Sequence, residues 1–339
     1  MAGNRRRRDG GLIHGILAVG ALLMSVLIFL TAVRIAEKRM AVKIENAGVQ
    51  MTSHTSEHRS AQVFMNNRWH AERNIDSLLV MGIDEYGSLQ ETDSYNNNHQ
   101  TDFLALFLRD LDTGRTAAIH LNRDTMTDIM TLGVTGQETG MRYAQLALAY
   151  NYGSGDHVSS SNVVKAVERL LYGIKIDNYI TVTMDAVPIL NDWAGGVTVE
   201  VQDDFTGIDD ALIQGELVKL QGEQALTYVR TRKDLEDSSN LHRMERQRQY
   251  ASEWTKSARE KLNDKQAVAD LVLQLGDYYR SSCTVEQLSS LAESLSNNPS
   301  MNVYEIRGAA KQGERFIEFY VHEKSLQQLV LELFYMPVD

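Results

Sequence analysis

Residues 12–33 contain no Asp, Glu, Lys or Arg. As a helix a run of about 22 residues extends roughly 33 Å, enough to cross the hydrocarbon core of a bilayer. Arg5, Arg6, Arg7 and Arg8 stand just before it. Positive charge is retained on the cytoplasmic side, so the N-terminus is expected inside and everything after Arg34 outside. A cleaved signal peptide would have a shorter apolar run with a small-residue cleavage site behind it, and Val33-Arg34-Ile35-Ala36 is a poor site. A helix buried within protein would need neighbours on every side. The run therefore divides the chain into a cytoplasmic basic tail (1–11), a transmembrane helix (12–33) and an exported remainder. Residues 34–73 are polar and mixed in charge and read as an extracellular stalk; the folded domain is expected over 74–339.

The formal net charge is −11. The basic tail carries about +3 of it, so the exported part is more acidic still and unsuited to nucleic acid, whose binding rests on phosphate attraction. An anionic ligand would need a local cluster of cations. With Cys283 as the one cysteine, no internal disulfide can form, and the domain must be held by its own core.

Ser77-Leu78-Leu79-Val80-Met81, ending at Gly82, has the pattern of a buried strand with Asp84 just past its end. After a polar loop, Asp102 opens a second strand. Asp110-Leu111-Asp112-Thr113-Gly114 reads as a hairpin turn into a third, from Thr116 to Leu121. A tight turn makes the second and third strands antiparallel, so the start of one lies beside the end of the other. Asp102 and Arg123 are thereby predicted to be neighbours. Downstream, helical spacing (161–172, 186–193, 223–229, 240–261, 285–295, 324–334) alternates with strand-like segments near 179–183, 197–201, Val303 and 316–321. This order predicts an α/β fold: a single exported domain with a mixed central β-sheet flanked by helices on both faces.

No His-Glu-x-x-His, Gly-x-Ser-x-Gly, Walker loop or paired-cysteine site is present. Two sets of residues carry chemistry. Asp84 and Asp102 stand at strand ends, where two carboxylates fit either turn caps or a Mg²⁺ site completed by substrate phosphates. Arg230 and Arg232 share a face if their segment is extended, and Arg243 and Gln247 are one helical turn apart, with Arg246 beside them. Guanidinium groups chelate phosphate oxygens; the alternative is a charged helix surface paired with Glu236, Asp237 and Glu245.

These pieces resemble the LytR-CpsA-Psr family of cell-envelope phosphotransferases. The resemblance rests on residues 79–84, Thr101-Asp102, Arg123-Asp124-Thr125 and Ala149-Tyr150-Asn151-Tyr152-Gly153. It continues through Ile176-Asp177-Asn178-Tyr179, Gly195-Gly196-Val197, residues 220–232 and Arg243-Met244-Glu245-Arg246-Gln247. It implies transfer of a phosphate-linked glycopolymer, such as teichoic acid or capsule, from a polyprenyl-pyrophosphate carrier in the membrane to peptidoglycan. It also implies Mg²⁺ or Mn²⁺ on Asp84 and Asp102. Arg123, Arg230, Arg232 and Arg243 would clamp the pyrophosphate with Gln247 nearby, Arg123 and Asp102 acting in catalysis. The prenyl chain would need an apolar groove that the sequence does not locate. Four positions depart from the family pattern. Gln100 stands for an Arg, Gln145 and Ala147 for Lys and Asn, and Asn240 for an Asp. They open the alternative of a catalytically weakened member that binds lipid-linked glycan or scaffolds envelope synthesis.

Overall fold

The computed structural model describes residues 62–65, 68–155, 157–232, 235–298 and 301–338. The expected basic tail, transmembrane helix and most of the expected stalk lie outside them. Among the described residues no helix is long and apolar enough to cross a membrane.

A six-stranded mixed sheet organises the domain. Its strands are β1 (Ile75–Ile83), β2 (Thr101–Asp110), β3 (Thr116–His120), β4 (Asn178–Val182), β5 (Tyr279–Ser281) and β6 (Asn302–Glu305), in the order β5-β4-β1-β2-β3-β6. The β4–β1 and β3–β6 pairs are parallel and the others antiparallel. The β2–β3 turn forms as its residues dictate: Asp110 Oδ1 accepts the N–H of Asp112 (3.0 Å) and of Thr113 (2.9 Å), and Gly114 takes φ +70°, open to glycine without strain.

Seven helices complete the described fold: α1 (His157–Leu170), α2 (Ala186–Trp193), α3 (Glu223–Arg230), α4 (Asn240–Leu262), α5 (Lys265–Leu275), α6 (Val285–Asn297) and α7 (Glu323–Phe334). Side chains alternate across a strand, and both faces of β1 and β2 are apolar for different reasons. Leu79, Met81, Ile83, Leu104 and Leu106 are fully buried against Val163 and Val167 of α1 and Val330 and Phe334 of α7. Each such leucine contributes roughly 2 kcal/mol by leaving water. The opposite residues, Leu78, Val80, Phe103 and Phe107, line a cavity of about 380 Å³ walled by α2, α3, α4, α5 and α6.

Two features depart from the sequence reading. Residues 62–72, expected in the stalk, form a hairpin (Gln62–Met65 with Arg68–Glu72) that pairs with Tyr335–Pro337 near the C-terminus. Among the described residues, strands paired with the domain are thus already present before residue 74. The pairing partner lies some 260 residues away, so no local signal marks it. A second hairpin, Met126–Leu132 with Glu138–Gln145, and helix α5 occupy segments given no element from sequence.

Candidate active site

The β2–β3 hairpin brings Asp102 and Arg123 together as predicted: they form an ion pair. Arg123 sits at the corner of a turn in which Asn122 Oδ1 accepts the Asp124 N–H (2.9 Å). Its guanidinium also donates to Gln100 Oε1, and its Nε lies 3.6 Å from Asp124. On the other side of Asp102, Arg243 donates from Nη1 to Oδ2 at 3.0 Å. A second bond runs from Arg243 Nη2 to Asn240 Oδ1 (2.6 Å), and Asn240 in turn donates to Asn122 Oδ1 (2.9 Å). Asp102 thus bridges two arginines from different parts of the chain. Arg243 is only 5% exposed, which excludes the charged-surface reading for it.

Burial, the neighbouring Arg232 and Arg246 pull Arg243 down to about 10, against the opposing pull of Asp124. Arg123 is lowered chiefly by burial, with Arg243 and Arg232 adding to the effect. Burial raises Asp124, which the three arginines partly offset. The site packs desolvated arginines against one another around Asp102 and Asp124, a setting that an incoming anion relieves.

Arg230 and Arg232 do not act as one face. Arg230 ends α3 and stacks over the Tyr86 ring, 5.1 Å from its centroid, while donating to the Tyr86 hydroxyl. Thr231 turns extended (ψ 138°) and carries the chain away, so that Arg232 bears on Arg123 and Arg243. Gln247 donates to Val229 O (3.3 Å), leaving its Oε1 buried without a partner beside the cavity.

Arg246, one residue from Gln247, has a different fate. Fully buried, it donates to Asp203 Oδ2 (2.5 Å), Tyr228 O (3.1 Å) and Thr231 O. It clamps the α3–α4 corner and so fixes where Arg230 and Arg232 begin. Asp124, Tyr86, Asn122 and Asp203 were not singled out as functional from sequence. Asp124 lay within reach, next to Arg123 in the same short motif; the others act through contacts of long sequence separation.

Asp84 stands at the same sheet edge, its Oδ1 accepting the Gln100 N–H at 2.6 Å with His99 Nδ1 at 3.9 Å. Among the described residues no group of three or more His, Cys, Asp or Glu converges to hold a metal ion. A hard cation here would need Asp84, Asp102 and oxygens from the ligand together. Asp84 fits that role as it stands; Asp102 fits once an arginine releases it.

The remaining departures are accommodated locally. Gln145 donates to Asp124 Oδ1 (3.2 Å) and Ile317 O (2.7 Å), and the buried Ala147 bonds through its backbone N–H to Arg123 O (2.9 Å).

Asp102, Arg230, Arg243 and Gln247 also line one end of the apolar cavity. From there it runs along β1 and β2 to Arg109, Ser294 and Met301 at the far end. The groove that sequence could not locate is therefore continuous with the arginine cluster.

The chain is 26% identical over 243 residues to the polyisoprenyl-teichoic acid–peptidoglycan teichoic acid transferase TagV of Bacillus subtilis, covering 70% of this chain and 52% of that protein. It is 32% identical over 183 residues to Biofilm regulatory protein A of Streptococcus mutans, covering 52% of this chain and 42% of that one. The chain thus spans about half the length of these curated relatives. Among solved structures, B. subtilis TagV superposes with a TM-score of 0.58 at 21% identity, covering 77% of this chain and 96% of that one. TagT bound to LI-WTA superposes with a TM-score of 0.59 at 21% identity, covering 76% and 89%. These likenesses establish the fold. The model of the LytR_cpsA_psr family matches residues 39–334, and the chain belongs to that family.

Proposed function

We propose that this domain transfers a phosphate-linked glycopolymer from a polyprenyl-pyrophosphate carrier to a peptidoglycan hydroxyl. The observation that carries the proposal is the continuity of an apolar cavity with the Asp102–Arg123–Arg243 cluster. A ligand with a long hydrocarbon tail and a compact dianionic head matches that pairing of environments. The name of the TagV relative, as a teichoic acid transferase, supports the same reading.

In this scheme the pyrophosphate draws Arg123 and Arg243 off Asp102, with Arg230 and Arg232 completing the clamp. The acceptor oxygen forms a new bond to the glycan-bearing phosphorus as the bond to the polyprenyl phosphate breaks. Asp102, released from its arginines, takes the hydroxyl proton. The arginines neutralise charge on the transferred phosphoryl and the leaving phosphate, the main task in such a transfer. Asp84 and Asp102 would hold Mg²⁺ or Mn²⁺, which when bound supplies further neutralisation of phosphate charge. The run 12–33 is proposed to anchor the chain, N-terminus inside and domain outside, next to the lipid-borne donor.

The test is to incubate full-length protein in lipid vesicles with polyprenyl-pyrophosphate glycan, peptidoglycan and Mg²⁺ or Mn²⁺. Release of polyprenyl phosphate is followed in wild type and Arg123→Ala. The proposal requires release that falls at least about 100-fold in the variant, the scale of losing one charge-stabilising donor; equal rates would refute it. A second reading, binding without turnover, draws on Gln100, which accepts a bond from Arg123 where an arginine would add a cation. It predicts tight donor binding and no release.

A further inference from the structure

The three-stranded sheet at residues 62–72 and 335–337 plays no part in the cluster above, and one of its faces is bare. Phe64 and Trp69 are directly cross-strand, their rings 5.3 Å apart, yet they are 59% and 52% exposed. Ala71, two residues from Trp69 and so on the same face, pairs with Met336, which is 45% exposed. The opposite face carries His70, which is buried. Two aromatic rings and a methionine presented together are unusual on a face that none of the described residues covers.

From this face and its place in the chain, we infer that the small sheet is a foot that rests in the bilayer interface, with Phe64, Trp69 and Met336 among the lipid headgroups. The inference rests on the proposed membrane anchor. Two observations choose lipid as the occupant. First, the uncharged run ends about 28 residues before Gln62, so an anchored chain holds this face at high effective concentration against the membrane. Amphipathic aromatic rings favour that interface.

Second, the foot stands at the correct end of the sheet. Its strand Arg68–Glu72 runs through Arg73 into the N-terminal end of β1, tied there by Arg73 Nη1 to Asp110 (3.3 Å) and by Arg73 Nε to Tyr335 O (2.9 Å). In the β1–β2 register, Asp76 pairs with Arg109, a residue at the far end of the apolar cavity, whereas the arginine cluster adjoins the C-terminal end of β1. With the foot on lipid, the tail end of the cavity faces the bilayer. The arginine cluster then stands away from it by about one strand length, roughly 25 Å.

The experiment uses full-length protein in vesicles of phosphatidylcholine with a minority of phosphatidylglycerol, with or without bromine near the top of the acyl chains. Trp69 fluorescence is isolated as wild type minus Trp69→Phe, which removes Trp193 and Trp254, the latter lining the cavity. An unchanged unfolding midpoint for the variant shows that the fold is kept. The inference expects brominated lipid to quench the Trp69 contribution by at least about half, as for a ring at the interface. Phe64→Ser should weaken that quenching. If the protein floats with the vesicles but Trp69 is unquenched, the foot is refuted and the anchor stands. If it does not float, both are refuted. An unquenched Trp69 that cross-links to a second copy would assign this face to self-association and overturn the lipid reading.

Discussion

Two carboxylates, each paired with an arginine of α4, make opposite predictions about the same ligand. Asp102 holds Arg123 and Arg243 at the cavity end, and Asp203 holds Arg246 behind the α3–α4 corner. Removing one partner of a buried pair leaves an uncompensated charge and costs about 3–5 kcal/mol. Asp102 retains some contact with water, so the lower end applies to Asp102→Asn, about 3 kcal/mol; the Arg246 pair is drier, so Asp203→Asn should cost about 4 kcal/mol. For a chain of this size 1 kcal/mol shifts Tm by about 2 °C, so losses of about 6 and 8 °C are expected.

Pyrophosphate separates the two cases. An anion that binds only the folded state stabilises it by about 2.7 kcal/mol at 100 times its Kd. In wild type it must displace Asp102 from the arginines. Asp102→Asn removes that competitor, so the same pyrophosphate should raise Tm further than in wild type. In Asp203→Asn the orphaned Arg246 is sealed from solvent, and the increment should match wild type. Scanning calorimetry of the three full-length proteins in vesicles, with and without pyrophosphate and with no divalent metal, measures this. Equal increments in all three, or a drop below 1 °C for Asp102→Asn, would refute the assignment of Asp102 as the carboxylate that a phosphate ligand displaces.

His120 is buried with its Nδ1 unpartnered; burial, then Arg248 and Arg243, push it down to about 3. The unfolded chain titrates near 6.5 and takes up the proton first, so this stability is complete above about pH 7 and lost as pH falls toward 3. Between pH 7.5 and 5 the loss should be about 2 kcal/mol, and denaturant titrations of His120→Gln should show a slope shallower by that amount. Leu79→Ala should cost about 3 kcal/mol in the same titrations, whereas Val80→Ala, facing the cavity, should cost under about 1, because little packing is lost there. Gln100→Arg should raise the rate of polyprenyl phosphate release about tenfold or more if the site turns over; no gain in an active enzyme would show that Gln100 already serves.

The hairpin geometry that joins Asp102 to Arg123 was legible because it is local: a strand, a turn with Asp110 and Gly114, and a strand. So was the end of α2, where Gly195 and Gly196 both take positive φ and a Cβ on Gly196 would meet Leu220 O at 3.0 Å. What escaped depends on partners distant in sequence. The foot pairs with the C-terminus, the cavity needs helices from five separate segments, and Glu138–Gln145 is so exposed that it carries little apolar alternation. Arg243 and Arg246 look equivalent on one helix. Only Asp203, from a loop some forty residues upstream, makes one a structural clamp while the other borders the cavity.

The departures at Gln100 and Asn240 change how the arginines are held more than whether an anion is attracted. Asn240 accepts from Arg243 as an aspartate would, but carries no charge to compete for it, so Arg243 is left with Asp102 as its one paired carboxylate among the described residues. Gln100 likewise orients Arg123 without neutralising it. Arg123, Arg232 and Arg243 bear on one another and on Asp124, and neither Gln100 nor Asn240 adds a carboxylate that would compete with a ligand for them. Attraction for a pyrophosphate should therefore survive both changes. Under the proposed transfer, Gln100 would withhold one cation at the reacting phosphate, where charge would grow along the reaction. Such a loss weighs on the rate far more than on ground-state affinity. Under that proposal the loss of a cation at position 100 would weigh on turnover more than on binding, so a chain with these substitutions would keep ligand binding while losing part of the rate.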